Sequence, residues 1–147
     1  MSWRESVSQG CQDDLDALLA AALPAAREFL AKYGEFYPFG FSMTSTGETG
    51  MLAASDGSEN PNSTDLLTTL YDGLRGQADS LRGAAIVSDV RVKDPDSDAI
   101  RVELEHRAGM AIVVLLPYRV EKKLLGRQVD YGEMSLEGVD RRIWPAT

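Results

Sequence analysis

IRVELEHRAGMAIVVLLPY, residues 100–118, decides the fold. Ile100, Val102, Leu104 and His106 alternate with Arg101, Glu103, Glu105 and Arg107, and a period of two sends successive side chains to opposite faces of a strand. Ala108-Gly109 supplies a tight turn, after which MAIVVLL runs apolar on both faces. The segment therefore predicts an antiparallel hairpin. Its first strand is expected to keep one charged face in water, and its second, buried on both faces, to lie near the sheet centre.

Working upstream, a strand is predicted over 84–92, joined to 100–107 by the DPDSD loop at 94–98, so that three strands form an antiparallel meander. Before it, Leu66, Leu67, Leu70, Leu74, Ala78 and Leu81 recur at helical spacing, with Asn62 or Ser63 as N-cap and Gly83 as the stop. Gly73 and Gly76 within this helix are expected to permit close approach to the sheet. In FYPFGFSM, residues 36–43, Tyr37, Phe39, Phe41 and Met43 share one face of a strand. Thr46-Gly47-Glu48 then turns the chain into a second strand near 50–55. At the start, Leu15, Leu18, Leu19, Ala22, Ala26, Phe29, Leu30 and Tyr33 define a helix ended by Gly34, with a kink expected at Pro24.

Downstream of residue 120 the pattern weakens. Residues 129–136 are a candidate sixth strand, and Ile143-Trp144 a candidate anchor for the C-terminal extension, 121–147. The reading is a single α+β domain, 1–147, with its core in 12–120: an antiparallel sheet of five or six strands and two main helices, either both on one face or one on each. In element order alone this is similar to the profilin-like and Roadblock/LC7 arrangements, with the last of the three meander strands central. FYPFG (36–40), Asp-Val-Arg (89–91), LEH (104–106) and LPY (116–118) together resemble segments of a family of small bacterial proteins of unassigned function. That resemblance implies a bacterial intracellular setting and transfers no activity.

Charge narrows the partners. Residues 1–80 carry four Lys/Arg against twelve Asp/Glu, and residues 81–147 eleven against eleven, so the net of −8 lies in the first part. No basic run exceeds a pair, which disfavours nucleic acid and anionic membrane, because affinity for either needs clustered cations. The apolar stretch at 17–26 follows Glu5, Asp13, Asp14 and Asp16, a polarity opposite to that of a secretory signal, and the expected location is cytoplasmic. One cysteine, Cys11, excludes an internal disulfide, and one histidine, His106, excludes the usual zinc sets.

Several constellations invite chemistry. Asp94, Asp96, Asp98 and Glu105 match the oxygen spacing of a calcium-binding EF-hand loop, but Ala99 replaces the required glycine and a strand follows where a helix is needed. A solvated hairpin loop is the expectation. TSTGETG, 44–50, lacks the lysine and helix of a phosphate cradle and reads as a hairpin turn. Asn62-Ser63-Thr64 reads as helix capping and Cys11 as packing. His106 shares the apolar face and is expected to be a hydrogen-bonded structural histidine. A catalytic role would need a partner such as Ser88, Tyr37 or Tyr118.

No catalytic set, metal set or cofactor motif assembles from these residues. The leading expectation is an acidic protein-interaction module of adaptor, immunity or chaperone type, meeting a protein partner or a second copy through a charged face of Asp89, Arg91, Arg101, Glu103, Glu105 and Arg107. The alternative is a small-molecule-binding or sensory domain with a pocket near Tyr37, Phe39, Phe41 and His106, favoured by a cavity above about 300 Å³. A hydrolase-like enzyme using His106 comes third.

Overall fold

A computed structural model describes residues 9–54, 61–93 and 96–145. The chain runs α1 (Gln9–Tyr33), β1 (Phe39–Thr44), β2 (Thr49–Ala53), α2 (Ser63–Gly76), a one-turn 3-10 segment (Ala78–Ser80), β3 (Leu81–Val92), β4 (Ser97–His106), β5 (Ala111–Lys123), β6 (Gly126–Tyr131) and β7 (Ser135–Gly138). The fold is α+β. Every strand pairing is antiparallel, in the order β2-β1-β3-β4-β5-β6, with β7 pairing the first half of β5 while β6 pairs the second.

The two helices divide between the two faces of the sheet. Leu15, Leu18, Ala22, Ala26 and Leu30 of α1 pack on Phe39, Val87, Val102, Leu104, Val114 and Leu116 as the larger core. Leu70, Tyr71 and Leu74 of α2 pack on Ala84 and Ile86 of the opposite face, where Ile143 joins them. Helix α1 continues through Pro24 and stops at Gly34, whose φ of +78° lets its N–H reach back to the Leu30 carbonyl at 2.9 Å. Asn62 caps α2, its side-chain oxygen accepting from the N–H groups of Thr64 and Asp65.

Four expectations need correction. Helix α2 ends at Gly76, and Leu81 and Gly83 belong to β3. Leu81 nonetheless packs beside Leu74, because a helical and an extended path both carry it to the second core. Gly73 and Gly76 approach nothing: a Cβ at either would meet no atom within 4 Å. The centre of the sheet is β3 and β4, not β5. The predicted sixth strand is two short ones, β6 and β7, which share the outer edge of β5.

The charged face of β4 is where pattern and structure part most clearly. Glu103 and Glu105 are 3% and 1% exposed, because residues 142–144 lie across them. Glu105 accepts from three consecutive backbone N–H groups, those of Arg142 (2.7 Å), Ile143 (2.9 Å) and Trp144 (2.6 Å). Glu103 accepts from the Tyr71 hydroxyl and from Arg101 (3.1 Å), with Arg142 ion-paired at 3.4 Å. A buried carboxylate is tolerated only when hydrogen-bonded in this way. Trp144 closes the contact by donating its ring N–H to the Ala78 carbonyl at 3.1 Å.

Candidate functional site

Register places the predicted site residues. Directly opposed residues share a face, and Asp89 lies opposite Ile100, Arg91 opposite Asp98, and Glu103 opposite Ile86. Asp89 and Arg91 therefore stand on the α1 side, and Arg101, Glu103 and Glu105 on the other. The six charged residues do not form one surface. Arg91 is occupied by Asp96 (2.9 Å) and Asp98 (3.3 Å), and Arg107 donates to the Asp79 carbonyl at 3.2 Å. The calcium-loop spacing is likewise taken apart, since Asp96 and Asp98 serve Arg91 and Glu105 holds the C-terminal segment, while Asp94 lies outside the described residues.

His106 ends β4 at the opposite end of the sheet from Asp89. Its Nδ1 accepts the Ala108 N–H at 3.0 Å, which leaves the proton on Nε2 to be donated to Asp14 Oδ2 at 2.8 Å. Arg82 donates to the other Asp14 oxygen, also at 2.8 Å. Both ring nitrogens are occupied, Nδ1 by the β4–β5 turn and Nε2 by Asp14, which ties α1 to the sheet. Neither Tyr37 nor Tyr118 is brought to the ring, because Tyr118 pairs across from Asp98, at the far end of β4. Among the described residues no group of three or more His, Cys, Asp or Glu side chains is arranged to hold a metal ion.

The concave feature lies at that far end. A cleft of about 700 Å³ opens between the last turn of α1, residues 35–38, β2 and the start of α2, within the usual range for small-molecule sites. Of the four residues first named for a pocket, Tyr37 and Phe39 line this cleft, and Phe41 and His106 do not. Phe29, Tyr33, Phe36 and Met51 line it as well. Phe29 and Phe39 meet edge to face at 5.3 Å, and Phe36 and Phe39 at 5.6 Å, so the apolar wall is a mutually braced ring cluster. Pro38 and the short connection from Gly34 hold Phe36 and Tyr37 outside the ladder, which frees them to line the opening.

Asp89 is the partly buried carboxylate at the cleft. One of its oxygens accepts from the Tyr118 hydroxyl and the other from the Phe36 N–H at 3.3 Å. Burial raises its carboxyl pKa above the ordinary value, against the two hydrogen bonds, with Asp98 and Glu35 adding to the rise. Burial, and then the bond to Asp89, push the Tyr118 hydroxyl upward in turn. Sequence reasoning missed Asp89 as a cleft residue because only the strand register turns it toward Phe36. It also missed Glu35 and Met51, which no local pattern marks.

Comparison with protein-family models, curated proteins and solved structures finds no match for this chain. Any functional reading rests on the site itself. Among the described residues no helix is long and apolar enough to cross a membrane.

Proposed function

We propose that this domain binds a small organic ligand in the cleft between α1, β2 and α2. The observation that carries the reading is an open space of about 700 Å³ walled by aromatic rings with a half-buried carboxylate at its side, the combination of apolar wall and few polar groups that ligand pockets share. The sheet supplies a rigid floor through Phe39 and Asp89. The test uses Nile red, a neutral apolar dye, with the full chain and with Ala53→Trp, a substitution at an exposed lining position that fills the opening. Dye fluorescence should rise with the parent chain and not with the variant. An equal rise with both would place the dye elsewhere and defeat the reading.

A second reading, contact with another protein or a second copy, is supported by one feature outside the cleft. Leu124 and Leu125 are 100% and 96% exposed at the turn between β5 and β6, an apolar pair with no packing role in the domain. The charged face first expected to serve this purpose is weakened as a candidate by the burial of Glu103 and Glu105.

A further inference from the structure

The chemistry around the cleft narrows the class of ligand. We propose that the cleft takes an organic ammonium ion, a primary or secondary amine carried on an apolar or aromatic body; this rests on the cleft being a ligand site. Two carboxylates, Asp89 and Glu35, line the cleft, and none of its described lining residues is Lys, Arg or His. An anionic ligand would meet like charge and have no cation to pair with. A neutral ligand would cover Asp89 and leave its charge less solvated than before.

An ammonium group answers both conditions. Each Asp89 oxygen accepts one hydrogen bond within the protein, and an ionised carboxylate has room for about four, so lone pairs remain for N–H donors. Ring faces carry negative potential and attract a cation held over them. Phe29, Phe36, Tyr33 and Tyr37 lie on the same cleft as the carboxylates, so one ligand reaches both kinds of partner.

The test compares three indole ligands of nearly equal shape: tryptamine (cation), tryptophol (neutral) and indole-3-propionate (anion). Each is titrated at neutral pH into the full isotope-labelled chain, followed by amide NMR correlation spectra. Tryptamine should shift the Phe36, Tyr37, Ala53 and Asp89 amides and bind at least about tenfold more tightly than tryptophol, while indole-3-propionate leaves them unmoved. Asp89→Asn should weaken tryptamine by about tenfold and change tryptophol by less than about twofold. Glu35→Gln, at an exposed position, should weaken tryptamine by about two- to fivefold. Should Asp89→Asn lose its dispersed spectrum, Glu35→Gln and the amine-to-alcohol ratio decide. Equal binding of amine and alcohol, or tryptamine affinity unchanged by the substitutions, would overturn charge selection and leave the cleft reading standing. Cleft amides unmoved by all three ligands at about 5 mM, a concentration that reveals even millimolar affinity, would overturn both.

Discussion

Glu105 holds three backbone N–H groups at 2.6–2.9 Å from a side chain 1% exposed, and its replacement has a calculable consequence. Glu105→Gln keeps the shape but turns an amide donor toward N–H donors, which should cost about 1–3 kcal/mol. Hydrogen exchange at Ile143 and Trp144 should accelerate more than at β3; unchanged exchange at those two amides would contradict the account. Tyr71→Phe removes the hydroxyl from buried Glu103, and a chemical-denaturation midpoint should show a loss of about 1–3 kcal/mol. Asp89 acts in the opposite sense. An acid whose pKa is higher folded than unfolded binds more protons in the folded state across the interval between the two values. Stability conferred by that group therefore falls as pH rises from its ordinary value of 3.8 through its raised folded value. In urea unfolding, Asp89→Asn should gain on the parent chain as pH rises above its ordinary carboxyl value of 3.8, and a difference constant with pH would refute the assignment.

At the scale of elements, most of the order was legible because each element announces its own period. The stripe from Leu15 to Leu30 faces one core, and the alternation of Ile100 with Arg101 is realised in β4. What an element touches was not legible. The alternation of β4 was read as a dry face and a wet one, but a carboxylate on a strand looks the same in sequence whether water or a distant run of N–H groups receives it. The order of the central strands followed from that misreading. The register that turns Asp89 toward the cleft is set between strands and has no signature in either strand alone. Gly40 is a further case: it sits where a Cβ would come 2.9 Å from the Ala85 carbonyl oxygen, a closeness no local pattern marks. Gly40→Ala should force β1 from β3 and destabilise by about 1–3 kcal/mol. Thermal unfolding measures this, and a variant as stable as the parent would show that the strands separate freely.

For the whole molecule, the two faces of the sheet have different owners. One is closed by α1, with the Asp14 bridge to His106 and Arg82 fixing its start. The other is closed jointly by α2 and residues 142–144, with the Tyr71 ring 5.5 Å from both the Arg75 and the Arg142 guanidinium groups. The cleft lies where α1 gives way to β1 and β2, beside an edge of the sheet rather than in its middle. The exposed Leu124-Leu125 pair is remote in the ladder from all of this, at the β5–β6 turn. Replacing both by serine should leave the thermal midpoint nearly unchanged, because exposed side chains contribute within about 0.5 kcal/mol. Sedimentation equilibrium of the two forms then reads the contact directly: a shift toward monomer supports association through the tip, and identical profiles remove self-association there.

The grip of Glu105 on Trp144 spans 39 positions of chain, and chains are made in one direction. At a ribosomal pace of about 5–20 residues per second, strand β4 emerges some 2–8 s before the backbone that will receive its carboxylate. Until then Glu105 keeps its water, and the second face of the sheet stays unsealed. Residues 142–144 thus finish the interior, and the fold is completed when they have emerged rather than when its central strands appear.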